Sequence, residues 1–326
     1  MQQYEVTIGI PVYEVKPYIE NTLLSALSQT FGSIEFLLVD DCGNDGTMDV
    51  VKTLQSSHPR GKDIRILRQP HNMGVSAARN RIIDEARGTY LYFMDADDVI
   101  TEDCISVLHS KISYDNYEIA YGSYDKIDLN GDLVERRQYP DTSLIGEHQL
   151  AFYVYSKFSN LRPVVWNALM RVDFLRATGL KMIKSQFWED FVFSFDLVTH
   201  VSRAVLVNNI TYQYMCRENS LSNYQARKKI SKQEILNNIR TIDHLKQTSL
   251  SMRDKPYMGR RLNCIFKMDY FIVKNIKKRG RSVVPPFSRR ELRHVMRVPF
   301  SLFDILRFRG CRFQNVLLYL MGFLGV

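Results

Sequence analysis

Short apolar runs alternate with longer amphipathic stretches along the first hundred residues. Four of the runs are rich in branched or aromatic residues and are bounded by polar turns, a pattern that predicts buried strands. These predicted strands are Val6–Val12, Ile34–Asp40, Ile64–Leu67 and Tyr90–Met94.

The stretches between the predicted strands have helical spacing. In the first, the apolar residues share one face and Pro17 stands near the start, where a helix tolerates proline. That face comprises Ile19, Leu23, Leu24 and Leu27. A second helix is predicted after Gly46-Thr47 and a third over residues 76–86. This alternation predicts an α/β fold with a mostly parallel sheet flanked by helices.

After residue 100 the pattern changes. The segment Tyr124–Tyr139 predicts a hairpin, because Asn130-Gly131 occupies the turn positions that a tight hairpin prefers. From Ala226 onward the chain has the pattern of basic helices, interrupted at Pro285-Pro286.

Composition narrows the class of protein. A chain of 326 residues with 45% hydrophobic content can bury a large core. Its five cysteines are scattered and never form C-x-x-C, which favours a reducing cytoplasm over a disulfide scaffold or zinc ribbon. The first residues lack the pattern of an export signal. The longest apolar run, at the C-terminus, has 11 residues, whereas a spanning helix needs roughly 20.

Charge is distributed unevenly. The net charge is +9, yet residues 251–326 hold 17 Lys/Arg against 4 Asp/Glu, so the first 250 residues carry a net negative charge. A basic end of this kind indicates an anionic partner, either lipid headgroups or nucleic acid. We expect no nucleic-acid partner, because no recognition motif accompanies the charge.

Acidic residues follow two of the predicted strands. Asp40 and Asp41 come after the second strand, and Asp95, Asp97 and Asp98 come after the fourth. Ligands of such sheets collect where the strands end, so both clusters should open on one edge. A hard cation such as Mg²⁺ or Mn²⁺ would offset the repulsion in "MDADD". The alternative is a solvated acidic turn that caps the next helix.

Two further residues have the chemistry of a nucleotide site. Asp40 can accept a hydrogen bond from the N–H of a pyrimidine base, and the glycine-rich turn after it allows close approach of a ligand. Arg79, in the first turns of a helix, can reach phosphate oxygens. The alternatives are an ordinary acidic loop and a surface salt bridge.

Three sequence blocks together resemble the opening of the family 2 glycosyltransferases, which are inverting enzymes of the GT-A fold. The blocks are "IGIPVYEVKPYIENTLLSALSQT", "FLLVDDCGNDGT" and "HNMGVSAARNRIIDEARGTYLYFMDADD". A looser block, "VVWNALMRVDFL", resembles members that build bacterial capsule, exopolysaccharide and lipopolysaccharide. "FWEDFVFSFDL" resembles the E-D block of the family, and "CRENSLS" the segment after its last strand.

The resemblance implies a GT-A-like fold, a nucleotide-sugar donor (commonly a UDP-sugar) and Mn²⁺ or Mg²⁺. By their place in the motifs, several residues take a role from the family. The resemblance implies that Pro11 and Tyr13 line the pocket of the nucleotide base and that Asp40 bonds the uracil. It places Arg79 and Asp95 on the diphosphate side, and Asp95 and Asp97 at the metal with Asp98 flanking them. It also implies that Asp190 is the general base, with Glu189 beside it.

Four candidate residues have structural alternatives. Glu189 and Asp190 are helix neighbours about 100° apart and cannot both point the same way, and one or both can simply cap the helix. Trp166 and Trp188 can stack on sugar rings of an acceptor, but buried aromatic residues commonly belong to the core.

The chain is thus predicted to have three parts. Residues 1–100 bind the nucleotide-sugar, residues 101–225 bind the acceptor within the same catalytic domain, and residues 226–326 form a basic helical tail. Near the end, Arg307, Arg309 and Arg312 stand among Phe and Leu, which suits a helix lying in an anionic membrane interface. The alternative is a tail that packs on the catalytic domain or on a second subunit.

The predicted function is inverting sugar transfer from a UDP-sugar to a glycan or lipid-linked acceptor in surface polysaccharide synthesis. The expected location is the cytoplasm, peripheral at the inner face of the cell membrane. Two alternatives remain: a sugar nucleotidyltransferase, and a non-catalytic membrane scaffold that binds nucleotide-sugar. The loop "PVYEVKPY" has no glycine, which disfavours the nucleotidyltransferase. The oligomeric state is open.

Overall fold

Four parallel strands open the chain and confirm the predicted β-α-β order. In the computed structural model they are β1 (Val6–Val12), β2 (Ile34–Asp40), β3 (Ile64–Arg68) and β4 (Tyr90–Phe93). Their order in the sheet is β3-β2-β1-β4. Each agrees with its prediction to within one residue at either end.

The structure describes residues 4–157, 164–185, 188–217, 230–279, 283–311 and 316–320. These residues fall into two compact units. Unit 1 lies within residues 1–150, 163–184 and 200–217, and unit 2 within residues 151–162, 185–199 and 218–326. The predicted start of the basic tail, residue 226, lies outside the described residues.

Unit 1 contains one mixed sheet of ten strands. The remaining strands are β5 (Val99–Ile100), β6 (Ile119–Ile127), β7 (Leu133–Arg137), β8 (Thr142–Ile145), β9 (Ala168–Arg171) and β10 (Arg203–Met215). The order continues β4-β9-β6-β10-β5, with β7 beside β6 and β8 beside β10. Strand β9 runs antiparallel to both β4 and β6. The parallel prediction therefore holds for the first four strands, and the sheet becomes mixed beyond them.

Helices cover the sheet of unit 1. They are α1 (Lys16–Leu27), α2 (Thr47–Ser57), α3 (Val75–Glu85), α4 (Cys104–Tyr114) and α6 (Val172–Thr178); α5 (Gln149–Ser156) begins in unit 1 and continues in unit 2. Leu24 is 36% exposed, because it stands about 100° around α1 from the buried Leu23. Helix α3 packs closely on β1: a Cβ at Gly9 would lie 2.3 Å from Ile82.

The predicted hairpin is confirmed. Strands β6 and β7 are antiparallel, and Gly131 in their connection has a φ of +88°. The side chain of Asp128 accepts hydrogen bonds from the backbone N–H groups of Asn130 and Asp132, each at 2.9 Å.

Unit 2 is largely helical. It contains α7 (Glu189–Leu197), α8 (Lys232–Thr248), α9 (Met258–Arg279), α10 (Arg289–Met296) and α11 (Leu302–Arg307), with the short parallel strands β11 (Ile230–Ser231) and β12 (Val283–Val284). The helical pattern is interrupted around Pro285-Pro286, as predicted. Within the described ranges, no helix is both long and apolar enough to cross a membrane.

A buried arginine organises the core of unit 2. The guanidinium of Arg261 is fully buried and donates to Asp196 at 2.5 Å, to the Tyr155 hydroxyl at 2.8 Å and to Ser249 at 2.8 Å. A buried charge is tolerated only when it is paired and hydrogen-bonded in this way.

Candidate active site

The acidic clusters after β2 and β4 lie on the same edge of the sheet of unit 1. Strand β1 stands between β2 and β4, with Val12 opposite Asp40 and Gly9 opposite Phe93. The strands are parallel, so the loops that follow them open together at their carboxyl ends. The predicted common edge is confirmed.

At the end of β2, two adjacent carboxylates have different partners. Oδ1 of Asp40 accepts from the N–H of Cys42 at 2.9 Å, and Oδ2 lies 3.5 Å from Nε of the exposed Arg68. The two oxygens of Asp41 accept from the N–H groups of Met73 and Gly74, both at 2.8 Å. Asp41 thereby holds the loop before α3, where Gly74 has a φ of +88°.

Helix α3 brings Arg79 to the acids that follow β4. The Arg79 side chain is buried, and its Nη2 donates to Oδ1 of Asp95 at 2.6 Å. A charge-assisted bond of this kind is stronger than a neutral one. Arg79 therefore stands beside the predicted D-x-D motif, where it can also meet an anionic ligand.

A second arginine pairs with Asp97. Arg217, two residues beyond the end of β10, forms an ion pair with this carboxylate. Its guanidinium also lies over the ring of Tyr18, 4.4 Å from the centroid. Asp95 and Asp97 are each partly exposed, so each retains access to solvent beside its arginine.

Asp98 has a buried environment unlike that of its two neighbours. It is 2% exposed, and its oxygens accept from the Tyr212 hydroxyl at 2.6 Å and from the Met215 N–H at 2.8 Å. Burial, together with the nearby charge of Asp95, raises the pKa of Asp98 to about 8. Near neutral pH a proton can therefore offset the charge of this third acid.

Trp166 belongs to an aromatic cluster behind this loop. The indole is buried, stacks on Tyr212 with ring centroids 4.9 Å apart, and meets Tyr124 edge-on at 4.8 Å. These contacts support Tyr212 in its position beside Asp98. Contact between Trp166 and an acceptor stays a prediction.

The two residues predicted at the nucleotide base lie at the end of β1. Pro11 is half-buried within the strand, and Tyr13 follows it with 44% of its surface exposed. The backbone of the neighbouring loop comes close: a Cβ at Gly43 would lie 3.0 Å from the backbone nitrogen of Glu14. The exposed ring of Tyr13 is therefore available to a ligand beside the Asp40 loop.

The predicted general base belongs to unit 2. Glu189 and Asp190 form the first turn of α7, and Trp188 precedes them with a φ of +62°, a conformation that is strained for a bulky residue. Glu189 is buried, whereas Asp190 is half-buried. Trp188 meets Phe191 edge-on, with centroids 6.5 Å apart.

The donor set after β4 suits a hard divalent cation. Asp95 and Asp97 supply carboxylate oxygens, the ligands that Mg²⁺ and Mn²⁺ prefer. Across the described part of the chain, no group of three or more His, Cys, Asp or Glu is placed to hold a metal. Magnesium commonly binds one or two carboxylates and completes its shell with water and substrate phosphate, so two carboxylates fit this chemistry.

Three residues at this edge were not predicted from the sequence. Tyr212 and Arg217 lie more than a hundred residues beyond the D-x-D motif, and Arg68 is an ordinary arginine at a strand end. Arg217 falls within "CRENSLS", so that block was the one available signal; its residues 218–222 lie outside the described ranges.

Comparison with known proteins identifies the fold and the family. Glycosyl transferase family 2 matches residues 7–178. The cholesterol galactosyltransferase of Borreliella burgdorferi is 26% identical over 230 residues, covering 68% of this chain and 63% of that protein. This chain therefore spans less than two thirds of that relative's length.

Two solved structures share the fold at low sequence identity. S. aureus TarS 1–349 in complex with UDP-GlcNAc has a TM-score of 0.60 and 14% identity, covering 98% of this chain and 90% of that one. The mannosyltransferase PcManGT from Pyrobaculum calidifontis, in complex with GDP-Man and Mn²⁺, has a TM-score of 0.55 and 14% identity, covering 86% and 77%. The predicted GT-A-like fold is confirmed. Since the family match covers more than half of this chain's residues, the chain belongs to glycosyl transferase family 2.

Proposed function

We propose that this protein transfers a sugar from a UDP-sugar to a hydroxyl of a glycan or lipid-linked acceptor, with inversion at the anomeric carbon. One observation carries the proposal. In a family 2 chain, Asp95 and Asp97 lie at the carboxyl edge of the parallel strands, and Arg79 and Arg217 stand against them. This arrangement suits a diphosphate and a divalent cation.

The donor is assigned to the loops after β1 and β2 and to α3. Tyr13 and Pro11 would contact the base, Asp40 would accept from the uracil N–H, and Arg79 would contact the diphosphate. The exposed face of Tyr13 and the position of Asp40 at the same sheet edge support this assignment. The UDP-GlcNAc in TarS and the GDP-Man in PcManGT support a nucleotide-sugar donor, and the family resemblance favours uridine as its nucleoside.

Asp95 and Asp97 would hold Mg²⁺ or Mn²⁺, and the Mn²⁺ in PcManGT supports a divalent ion. When bound, such an ion acts as a Lewis acid that offsets the charge of the departing diphosphate. We assign Asp98 a positioning role, because both of its oxygens already accept hydrogen bonds from β10.

The transfer is a direct displacement. The acceptor oxygen bonds to the anomeric carbon as the bond from that carbon to the β-phosphate oxygen breaks, and the electron pair leaves with the diphosphate. Asp190 takes the proton of the acceptor hydroxyl. Asp190 is preferred to Glu189 because it is half-buried rather than buried, so it is more accessible to a substrate.

We further propose a peripheral location at the inner face of the cell membrane. In α11, Phe303 and Leu306 are 65% and 63% exposed, and the guanidinium of Arg307 lies 5.3 Å from the Phe303 ring. Exposed apolar residues beside cations suit an anionic interface.

A donor panel tests the proposal. Binding and hydrolysis of UDP-, GDP-, CMP- and dTDP-sugars would be measured with Mn²⁺, Mg²⁺ or EDTA, for the wild type and for Asp95→Ala/Asp97→Ala. We expect metal-dependent binding of a UDP-sugar that the double variant loses. Synthesis of a nucleotide-sugar from a sugar phosphate would favour the nucleotidyltransferase, and donor binding without hydrolysis would favour the scaffold.

A further inference from the structure

A cavity of about 600 Å³ lies in unit 2, lined by residues of α8, of α10 and of the segments just before and after α10. This α8/α10 cavity has both apolar and charged walls. The lining residues are Leu236, Ile239, Phe287, Arg290, Glu291, Arg293, His294, Val295 and Arg297. Its volume is within the range of small-molecule sites, roughly 300–1,000 Å³.

The charged side of the cavity is basic. Arg290, Arg293 and Arg297 are exposed, and nowhere in the described ranges does a carboxylate approach these guanidinium groups within 4.0 Å. The single acid of the lining, Glu291, is already paired with Lys232 at 2.6 Å. Three guanidinium groups therefore face solvent with their charge uncompensated, and guanidinium binds phosphate through parallel hydrogen bonds.

The walls are held in place by polar contacts. Ser288 and Glu291 form a reciprocal capping box that begins α10. Near the other end of that helix, Nζ of the buried Lys246 donates to the carbonyl of Val295 at 2.6 Å and lies 3.1 Å from Asp269 of α9. The Lys246–Val295 contact thus joins α8 to α10, which supply most of the lining, and the residues flanking α10 supply Phe287 and Arg297.

The apolar walls determine which anion fits. A free phosphate would satisfy the arginines but would leave the half-buried side chains of Leu236 and Phe287 against water. An amphiphile with a phosphate head would bury a hydrocarbon segment there as well.

We propose that the α8/α10 cavity binds the phosphate head and adjoining hydrocarbon of an anionic membrane lipid. The inference rests on the proposed membrane attachment and names its chemistry. Arg290, Arg293 and Arg297 hold the phosphate, while Leu236 and Phe287 contact the hydrocarbon chain. The binding is independent of sugar transfer, because none of these residues has a role in the proposed reaction.

Dihexanoyl phosphatidic acid below its micellar concentration is the direct probe, with inorganic phosphate as the competing free anion. Binding would be measured for the wild type, for Leu236→Trp, which fills the cavity and keeps every charge, and for Arg290→Gln/Arg293→Gln/Arg297→Gln. A matched control, Arg240→Gln/Lys274→Gln/Arg289→Gln, removes the same charge from exposed positions outside the lining.

We expect the lipid to bind about 10-fold or more tightly than phosphate, and both cavity variants to weaken it about 10-fold or more, with the control nearly unchanged. Binding to vesicles of phosphatidylcholine with phosphatidylglycerol should rank the proteins in the same way: wild type and control alike, and both cavity variants weaker. Equal binding of phosphate, equal loss in the control, or undiminished binding by Leu236→Trp would overturn the proposal.

Thermal unfolding identifies any misfolded variant, and Leu236→Trp tests the site even if the triple variant unfolds. Donor hydrolysis is measured in parallel. Its absence would contradict the proposed reaction, whereas the lipid-binding results alone decide the proposed lipid site.

Discussion

The hydroxyl of Tyr212 joins β10 to the loop after β4: it donates to Oδ2 of Asp98 at 2.6 Å and accepts from the N–H of Asp95 at 3.3 Å. Tyr212 is fully buried, and Trp166 stacks on its ring. The position of the two proposed metal ligands therefore depends on a side chain 114 residues beyond Asp98 in the sequence.

Removing this hydroxyl should weaken both the fold and the site. Tyr212→Phe leaves a buried oxygen of Asp98 without its donor, which typically costs about 1–3 kcal/mol. We expect the free energy of unfolding to fall by that amount in urea titrations, and donor affinity to fall in calorimetry. Tyr114→Phe, at a position 90% exposed, is the matched control. Unchanged stability and affinity would show that the contact does not hold the loop.

Arg217 should compete with a metal ion for Asp97. The ion pair offsets the charge of this carboxylate, so Arg217→Ala makes the local potential more negative. We expect Mn²⁺ to bind about 5-fold more tightly in the absence of nucleotide, because a pair near the surface is worth on the order of 1 kcal/mol. Manganese titration followed by electron paramagnetic resonance measures this. Arg136→Ala, which breaks the comparable pair with Asp125, should change nothing. Weaker Mn²⁺ binding by Arg217→Ala would contradict the idea.

Substitutions of Asp190 and Glu189, the two acids of α7, should have different effects on kcat. If Asp190 is the base, Asp190→Asn should lower kcat by about 10²–10⁴ while donor affinity is retained. Glu189→Gln should act mainly on stability, since Glu189 is buried. Steady-state hydrolysis of the donor identified by the panel, with water in place of the acceptor hydroxyl, is compared for the two variants together with urea unfolding. The reverse result would transfer the role to Glu189.

Asp269 should make the stability of unit 2 depend on pH. Burial raises the pKa of this carboxyl to about 7 despite the charge of Lys246, 3.1 Å away. The folded state therefore binds the proton more tightly than the unfolded chain, whose value is near 3.8. This contribution is complete below pH 3.8 and is lost as the pH rises through 7, by about 1 kcal/mol per pH unit.

Asp269→Asn should remove that slope, as measured by urea unfolding between pH 4 and pH 8, a range of roughly four units around the transition. Asp132→Asn, at an exposed position, is the control. If the slope survives in Asp269→Asn, another group is responsible.

The local elements of the first hundred residues were determined by the sequence. Strands β1 to β4 could be predicted because branched apolar runs have no stable place except a covered sheet, and α1 to α3 because their apolar residues repeat at helical spacing. The common edge of Asp40 and Asp95 followed from parallel strands, which have their carboxyl ends on one side.

Only the tertiary structure decided what each acid does. Asp95, Asp97 and Asp98 look alike in the sequence, yet Asp95 meets Arg79, Asp97 meets Arg217, and Asp98 is buried under Tyr212. These partners lie 16 to 120 residues away, and they are set by strand order, including the antiparallel β9 between β4 and β6. Periodicity reports which face of an element is buried, but not which distant element covers it, and burial and charge partners depend on that neighbour.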